Sequence, residues 1–149
     1  MHLAPATPAE LDLLASYMHG LYAEDPGAHE LPLAQARQQA EKLLSAGRER
    51  VQTILLYTDA AVGYALLVPY YSNEYGGLTV FLDEFYIDIH HRSLGLGRSF
   101  LDLLKTHALQ QGGRRMFLEV RTGNARAREF YRRHGFTVTD DRWQMQCGL

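Results

Sequence analysis

Residues 82–104 constrain the fold more than any other part of the chain, because they read in succession as a strand, a glycine-containing loop and a helix. Residues 82–89 alternate β-branched and aromatic side chains, which is typical of a strand. Apolar residues recur at three-four spacing from Phe100 onward, which predicts an amphipathic helix. The loop between them holds Gly95 and Gly97, and Arg92 and Arg98 bracket it. Free amides at a helix start attract anions, so this stretch predicts an anion-binding loop.

Length and composition indicate one ordinary globular domain. The 149 residues suit a single domain covering 1–149, and 46% hydrophobic with 21% charged residues is an average balance. No apolar run approaches the roughly 20 residues of a membrane span, and the N-terminus lacks the pattern of a signal peptide. A net charge of −2 argues against a nucleic-acid partner. We therefore expect a cytoplasmic protein without a membrane partner.

Cysteine and histidine usage gives little support for redox or metal chemistry. Cys147 is the single cysteine, so an internal disulfide is excluded. His90 and His91 are adjacent, and neighbouring side chains on an extended chain point to opposite sides. No third ligand is evident nearby, so we predict no metal site.

The N-terminal half predicts a wall of two helices and a run of strands. Thr7 and Glu10 form a capping box around Pro8, which marks a helix start after a strand at 2–6. A second helix is predicted over 33–46, strands over 51–57 and 62–69, an aromatic loop over 70–77, and the long strand from Leu78. Tyr22 and Glu24 near the helix junction, with Tyr71 and Tyr75 in the loop, are candidates for binding a cationic substrate. Surface aromatics that cover the edge of the core are the alternative for this loop.

The C-terminal third predicts a strand, a helix and two closing strands. Residues 114–121 are apolar on both faces, as in a central strand. Asn124 is a good N-cap, and Gly135 is the expected C-terminal cap of the helix between them. Strands at 136–138 and 142–147 would complete the sheet.

Two motifs carry a resemblance to a known family. Residues 92–97 fit [Gln/Arg]-x-x-Gly-x-[Gly/Ala] between a strand and a helix, and residues 124–136 fit Asn-x-x-Ala-x-x-[Phe/Leu]-Tyr-x-x-x-Gly-Phe. A chain with both motifs in this order resembles the GNAT superfamily of N-acetyltransferases. The resemblance implies a single-domain α/β (α+β) fold. Its mixed, mostly antiparallel sheet would have six to seven strands and about four helices, and would splay between the fourth and fifth strands.

The resemblance also implies acetyl-CoA as the donor. Its pyrophosphate would lie on the amides of residues 94–98, its pantetheine arm would run beside the end of the central strand, and Asn124 would contact the arm from the other side. The donor-binding residues implied in this way are Ile87, Ile89, Arg92, Leu94, Gly95, Leu96, Gly97, Arg98, Asn124, Phe130 and Tyr131.

Acetyl transfer to an amine needs a base for the amine and an acid for the leaving thiolate. Tyr131 falls on the tyrosine of the family motif and is the candidate acid. The alternative is an aromatic that packs on the inward side of the helix with Phe130, and the two roles are compatible. Asp83 and Glu84 are the candidate bases. Alternation places Asp83 among apolar side chains, where burial would raise its pKa, and places Glu84 on the face that suits binding an ammonium group. A base acting through water, or carboxylates that only form surface ion pairs, are the alternatives.

Residues 82–87 are most similar to the polyamine (diamine) acetyltransferase group, whose strand carries its two acids in the opposite order. The resemblance therefore implies acetylation of a small primary amine, polyamine-like or amino-acid-like, and it allows a homodimer. Alternatives are a peptide or protein amine, an aminoglycoside, or a non-catalytic acyl-CoA sensor. A dinucleotide-binding oxidoreductase is disfavoured because Phe100 occupies the place of the third glycine.

Overall fold

Two successive β-hairpins form the middle of the sheet. The computed structural model describes residues 1–25, 29–47, 49–92, 95–139, 145 and 147. Within this part of the chain lie five strands and four α-helices. In chain order they are β1 (His2–Pro5), α1 (Leu11–Glu24), α2 (Leu33–Ser45), β2 (Gln52–Tyr57), β3 (Ala61–Ser72), β4 (Gly77–Ile87), α3 (Leu96–Gln110), β5 (Arg115–Phe117) and α4 (Ala125–Arg133).

The sheet is mixed and mostly antiparallel, as predicted. Its order is β1-β2-β3-β4-β5, and the first four strands pair antiparallel with their neighbours. Only β5 runs parallel to its neighbour β4, because α3 carries the chain back to the same end of the sheet. An α+β fold with four helices is therefore confirmed.

The pairing of β4 with β5 covers only Thr79–Phe81 against Arg115–Phe117. β4 continues to Ile87, so its second half has β3 on one side and, among the described residues, no strand on the other. The strands thus separate at the place where the sequence predicts the splay. An open strand edge leaves backbone amides and carbonyls available to a ligand.

Several predicted strand limits are wrong. The expected six to seven strands reduce to five in the described residues: 136–138 is irregular, and the predicted strand at 142–147 lies largely outside them. Tyr70 and Tyr71 belong to β3 rather than to a loop, since the hairpin turn begins only at residue 73. Ile89 starts a 3-10 turn (Ile89–His91), because the Asp88 side chain accepts from the His90 amide and caps it.

Local capping signals set the helix ends as predicted. Thr7 and Glu10 form the capping box around a short 3-10 turn that leads into α1. The Asn124 side chain accepts from the Ala127 amide and begins α4, and Gly135 follows its end at φ 86°. These signals depend on residues within one turn, so sequence alone identifies them.

The sheet has apolar side chains on both faces. α1 and α2 cover one face and bury a cluster that includes Leu14, Met18, Ala36, Leu55 and Tyr64. The buried side of α3 contributes Phe100, Leu101 and Leu104.

A β-bulge interrupts β4 at Asp83. Glu84 pairs with Leu66 and Leu82 pairs with Leu67, so Asp83 has no partner on β3. Leu66 and Leu67 point to opposite faces of the sheet, and their partners must do the same. The bulge therefore moves Glu84 to the face opposite Leu82, where α1 lies.

The chain divides into two compact units, Met1–Glu119 and Val120–Leu149, each described here by itself. That the whole chain is one domain stays a prediction. None of the helices that the structure describes combines the length and apolar character of a membrane span.

Candidate active site

A partly buried carboxylate with two tyrosine neighbours lies on the open half of β4. The Tyr64 hydroxyl donates to Glu84 Oε2 over 2.7 Å, and Tyr64 itself is fully buried on β3. The Tyr22 hydroxyl, from the last turn of α1, is near enough to Glu84 to lower the pKa of its carboxyl group. The bulge makes this arrangement possible because it turns Glu84 toward α1.

The surroundings of Glu84 favour its neutral form. Burial raises its pKa, and the nearby Asp83 raises it further, against the lowering effect of the two hydrogen bonds. Burial and the Glu84 charge also raise the pKa values of Tyr22 and Tyr64, so both hydroxyls stay protonated and keep donating. Glu84 is thus a carboxylate whose proton affinity is increased while its orientation is fixed.

Asp83 is the more exposed of the two acids. Partial burial of its carboxyl group, and then the charge of Glu119, raise its pKa. The shift has the direction that the sequence predicts, but Asp83 is an exposed residue rather than one buried among apolar side chains, and its role as a base stays a prediction. Glu84 is nevertheless the more enclosed carboxylate, because the bulge breaks the alternation on which the predicted faces depended.

The Arg92 side chain is engaged within the protein. Its Nε donates to the Ile87 carbonyl over 2.7 Å, and its two terminal nitrogens donate to the two Glu24 oxygens over 2.6 and 2.8 Å. The guanidinium lies 5.2 Å from the centre of the Tyr86 ring. Glu24 and Arg92, predicted respectively for the acceptor and the donor, therefore contact each other.

The start of α3 has the features of the predicted anion cradle. Gly95 precedes it at φ 74°, a left-handed conformation that favours glycine, and a Cβ there would meet nothing within 4 Å. The Ser99 amide donates to the Gly95 carbonyl over 3.3 Å, and the amides ahead of Ser99 have, as at any helix start, no acceptor within the helix. The Arg98 side chain is exposed and lies 3.9 Å from Asp102. Leu94 is outside the described residues.

Ile87 and Ile89, which the sequence also predicts to contact the donor, differ in burial and in the element to which they belong. Ile87 is the buried last residue of β4, and its carbonyl already accepts from Arg92. Ile89 is 60% exposed in the 3-10 turn, so it has left the strand beside which the sequence predicts it.

In the second unit, Asn124, Phe130 and Tyr131 lie at the start and on the aromatic side of α4. Asn124 caps the helix. The Tyr131 ring packs edge-on to Phe130 at 5.1 Å and to Phe136 at 5.5 Å between ring centres. Burial raises the pKa of Tyr131 to about 12, so its hydroxyl carries a proton at neutral pH.

The structure does not bring Tyr71 and Tyr75 to Glu84. Tyr71 pairs with Leu78, six positions before Glu84, which at ~3.3 Å per residue is roughly 20 Å along the strand. Tyr71 is 70% exposed, while the Tyr75 ring packs against Phe117 and under the Arg115 guanidinium at 4.6 Å. Their role with substrate stays a prediction.

Sequence reasoning missed Tyr64. It lies in an apolar strand, where a tyrosine looks like any other core residue. The available signal was its hydroxyl, since a buried phenol needs a hydrogen-bond partner. The Glu24–Arg92 contact joins residues 68 positions apart, and no local pattern indicates it.

Comparison with known proteins decides the family. The sequence model of the acetyltransferase (GNAT) family matches residues 15–136, which include both motifs described above. This chain belongs to the GNAT family. The resemblance inferred from residues 92–97 and 124–136 is therefore confirmed.

The relatives and solved structures agree with this assignment. A probable spermine N(1)-acetyltransferase of Bacillus subtilis subsp. natto (strain BEST195) is 34% identical over 85 residues, 55% of this GNAT chain and 56% of the relative. The match thus spans about half the length of that curated relative. The crystal structure of a probable acetyltransferase superposes with a TM-score of 0.82 at 21% identity, over 100% of this chain and 98% of the other. An aminoglycoside N-acetyltransferase in complex with CoA gives 0.74 at 18% identity, over 97% and 94%.

Metal ligands are not grouped in this GNAT chain as far as the structure describes it. No set of three or more His, Cys, Asp or Glu side chains in the described ranges could hold an ion.

Proposed function

We propose that this GNAT protein transfers the acetyl group of acetyl-CoA to the primary amine of a small polycation, with a polyamine as the acceptor class. The observation that carries the proposal is the partly buried Glu84 carboxylate on the open half of β4, which Tyr64 orients by a hydrogen bond and which Tyr22 adjoins. The similarity to a probable spermine N(1)-acetyltransferase supports the same acceptor class.

The residues at the start of α3 fit the donor. Phosphate oxygens accept hydrogen bonds from the free amides of residues 96–98, at the positive end of the helix dipole. The left-handed turn at Gly95 keeps the approach to these amides open. When bound, acetyl-CoA supplies an activated thioester carbonyl. Ile87 and Asn124 remain the proposed backbone and side-chain contacts for its arm.

Negative charge near Glu84 favours a polycationic acceptor. Asp83 raises the pKa of Glu84, and Glu119 raises that of Asp83, so three carboxylates interact along this part of the protein. A second ammonium group on the acceptor would relieve this repulsion, which a neutral or singly charged amine does less well.

Glu84 is also the proposed base. An ammonium must lose a proton before its nitrogen can form a bond to the acetyl carbon, and the raised pKa of Glu84 suits it to receive that proton directly or through water. As the new nitrogen–carbon bond forms, the carbon–sulfur bond breaks and the thiolate takes a proton from the Tyr131 hydroxyl. Tyr131 fits this role because its high pKa keeps the proton available at neutral pH.

An amine panel with thiol release as readout tests the proposal. We expect spermine and spermidine to be acetylated with a higher kcat/KM than amino acids, aminoglycosides or a peptide N-terminus. Glu84→Gln should lower kcat/KM by about 100-fold or more, in the range of lost acid–base catalysis. Asp83→Asn, the matched neighbour, should lose much less, and Tyr131→Phe should lower kcat while CoA affinity stays the same.

Two results would contradict this assignment. Equal losses in the two carboxylate variants would remove Glu84 from the role of base. CoA binding without thiol release from any amine would favour the non-catalytic acyl-CoA sensor.

A further inference from the structure

Each of the three nitrogens of the Arg92 guanidinium donates a hydrogen bond within the protein itself. Two of its nitrogens bind the two Glu24 oxygens, and the third binds the Ile87 carbonyl. Its face lies on the Tyr86 ring, and its side chain is 22% exposed. A bidentate pair of this kind fixes both distance and orientation, which a single ionic contact does not.

The residues that Arg92 joins are the ends of two elements. Glu24 is the last residue of α1, and Ile87 is the last residue of β4. Tyr22 belongs to the same last turn of α1, and its hydroxyl lies near Glu84 on β4. That turn therefore meets β4 at two points, beside Glu84 and through the bonded Arg92, which lies three positions before Gly95.

This geometry argues against a direct phosphate contact by Arg92. A phosphate could take the bidentate position between the two terminal nitrogens only by displacing the Glu24 carboxylate, and each of these nitrogens keeps just one further N–H. The free amides after Gly95 offer donors without such a cost.

We propose that the Glu24–Arg92 pair is a latch that couples the acceptor side to the donor loop, with Arg92 as a positioning residue rather than a phosphate ligand. This inference rests on the proposed function, which identifies one side as the acceptor site and the other as the donor loop. Closing the latch keeps Tyr22 near Glu84 and holds Arg92, three positions before Gly95, against the end of β4. Each half of the site is thereby ordered by the other, which is a coupling between two sites.

Kinetics of matched variants test the latch. Glu24→Gln and Arg92→Lys should each raise the KM for spermidine roughly tenfold, a typical size for coupled sites, and kcat should change less. The KM of the double variant should be no higher than that of either single variant. The same losses should appear with acetyl-pantetheine, which lacks the phosphates, and a Glu24→Arg/Arg92→Glu exchange should restore part of the KM. Asp12→Asn removes the other ion pair of α1, with Arg37 at 2.8 Å, and should leave the kinetics unchanged.

A phosphate role for Arg92 predicts a different pattern. Glu24→Gln would then tighten CoA binding by freeing the guanidinium, and the loss in Arg92→Lys would disappear with acetyl-pantetheine. Either result would overturn the latch while leaving the proposed function intact.

Hydrogen exchange on the unliganded protein tests the latch even if no amine is acetylated. Both latch variants should speed amide exchange in two segments together, the last turn of α1 with Asp25 and the turn at Gly95–Ser99, and Asp12→Asn should speed neither. Faster exchange only beside the substituted residue would refute the coupling. Absence of CoA binding and of transfer in the unmodified protein would instead refute the proposed function alone.

Discussion

At the scale of single residues, the two acids of β4 show what a pattern can and cannot give. The sequence identifies Asp83 and Glu84 as the carboxylates of interest because they interrupt an apolar strand. Their faces were not predictable, since a bulge depends on the pairing partner and leaves no mark in a strand of this composition. The Glu84 partner Tyr64 comes from another strand and was missed for the same reason.

The raised pKa of Glu84 predicts a pH-dependent stability. A carboxyl group with a higher pKa in the folded state stabilises the fold fully below its unfolded-state pKa, and this contribution is lost as the pH rises through the folded-state value. The glutamine side chain of the Glu84→Gln variant cannot ionise, so this variant does not lose stability in this way as the pH rises. In urea unfolding from pH 4 to 8, the free energy of unfolding of the variant should therefore increase relative to that of the unmodified protein as the pH rises. A constant difference in the free energy of unfolding across this range would contradict the pKa shift.

At the scale of elements, what was predictable is local. The capping box at Thr7, the Asn124 cap and the glycine before α3 each act within one turn, and all three appear where the sequence indicates. Strand limits were less predictable, because pairing decides them: aromatic Tyr70 and Tyr71 extend β3, and Asp88 ends the extended chain by capping a turn.

Two glycines at opposite ends of α3 test the donor loop. Gly95 and Gly112 have φ of 74° and 86°, and a Cβ at either would meet nothing within 4 Å. Alanine at each position should lower the free energy of unfolding by a similar ~1–2 kcal/mol, the cost of a left-handed non-glycine residue. Only Gly95→Ala should also weaken CoA binding, measured by calorimetry. Equal CoA affinities for the two variants would remove the Gly95 turn from the donor site.

At the scale of the whole molecule, the family and the order of the elements followed from two motifs and their spacing. The number of strands did not, since a three-residue apolar run such as 136–138 looks the same in a strand and in an irregular segment. The homodimer that the family resemblance allows stays a prediction.

The sheet itself depends on one close approach. A Cβ on Gly63 would clash with the Tyr86 carbonyl oxygen, so β3 and β4 could not keep their separation. Gly63→Ala should lower the free energy of unfolding by about 1–3 kcal/mol, the usual cost of overpacking. Gly123→Ala, where a Cβ meets nothing within 4 Å, should change it by well under half as much in the same thermal or urea experiment. Similar losses in both variants would show that this contact does not limit the sheet.

Asp83 has no pairing partner on β3 because β4 bulges there. This bulge changes how the order of the two acids in β4 should be compared with their order in related proteins. A β-bulge adds one extra residue to a strand, and the bulge can shift by one position along that strand. The side chain next to the original one then makes the same contact. If two adjacent acids are exchanged in the sequence, a shifted bulge can therefore still place a carboxylate beside Tyr22 and Tyr64. Under the proposed function, the tyrosine neighbours of Glu84, rather than the order of the two acids, are therefore the positions to compare between family members.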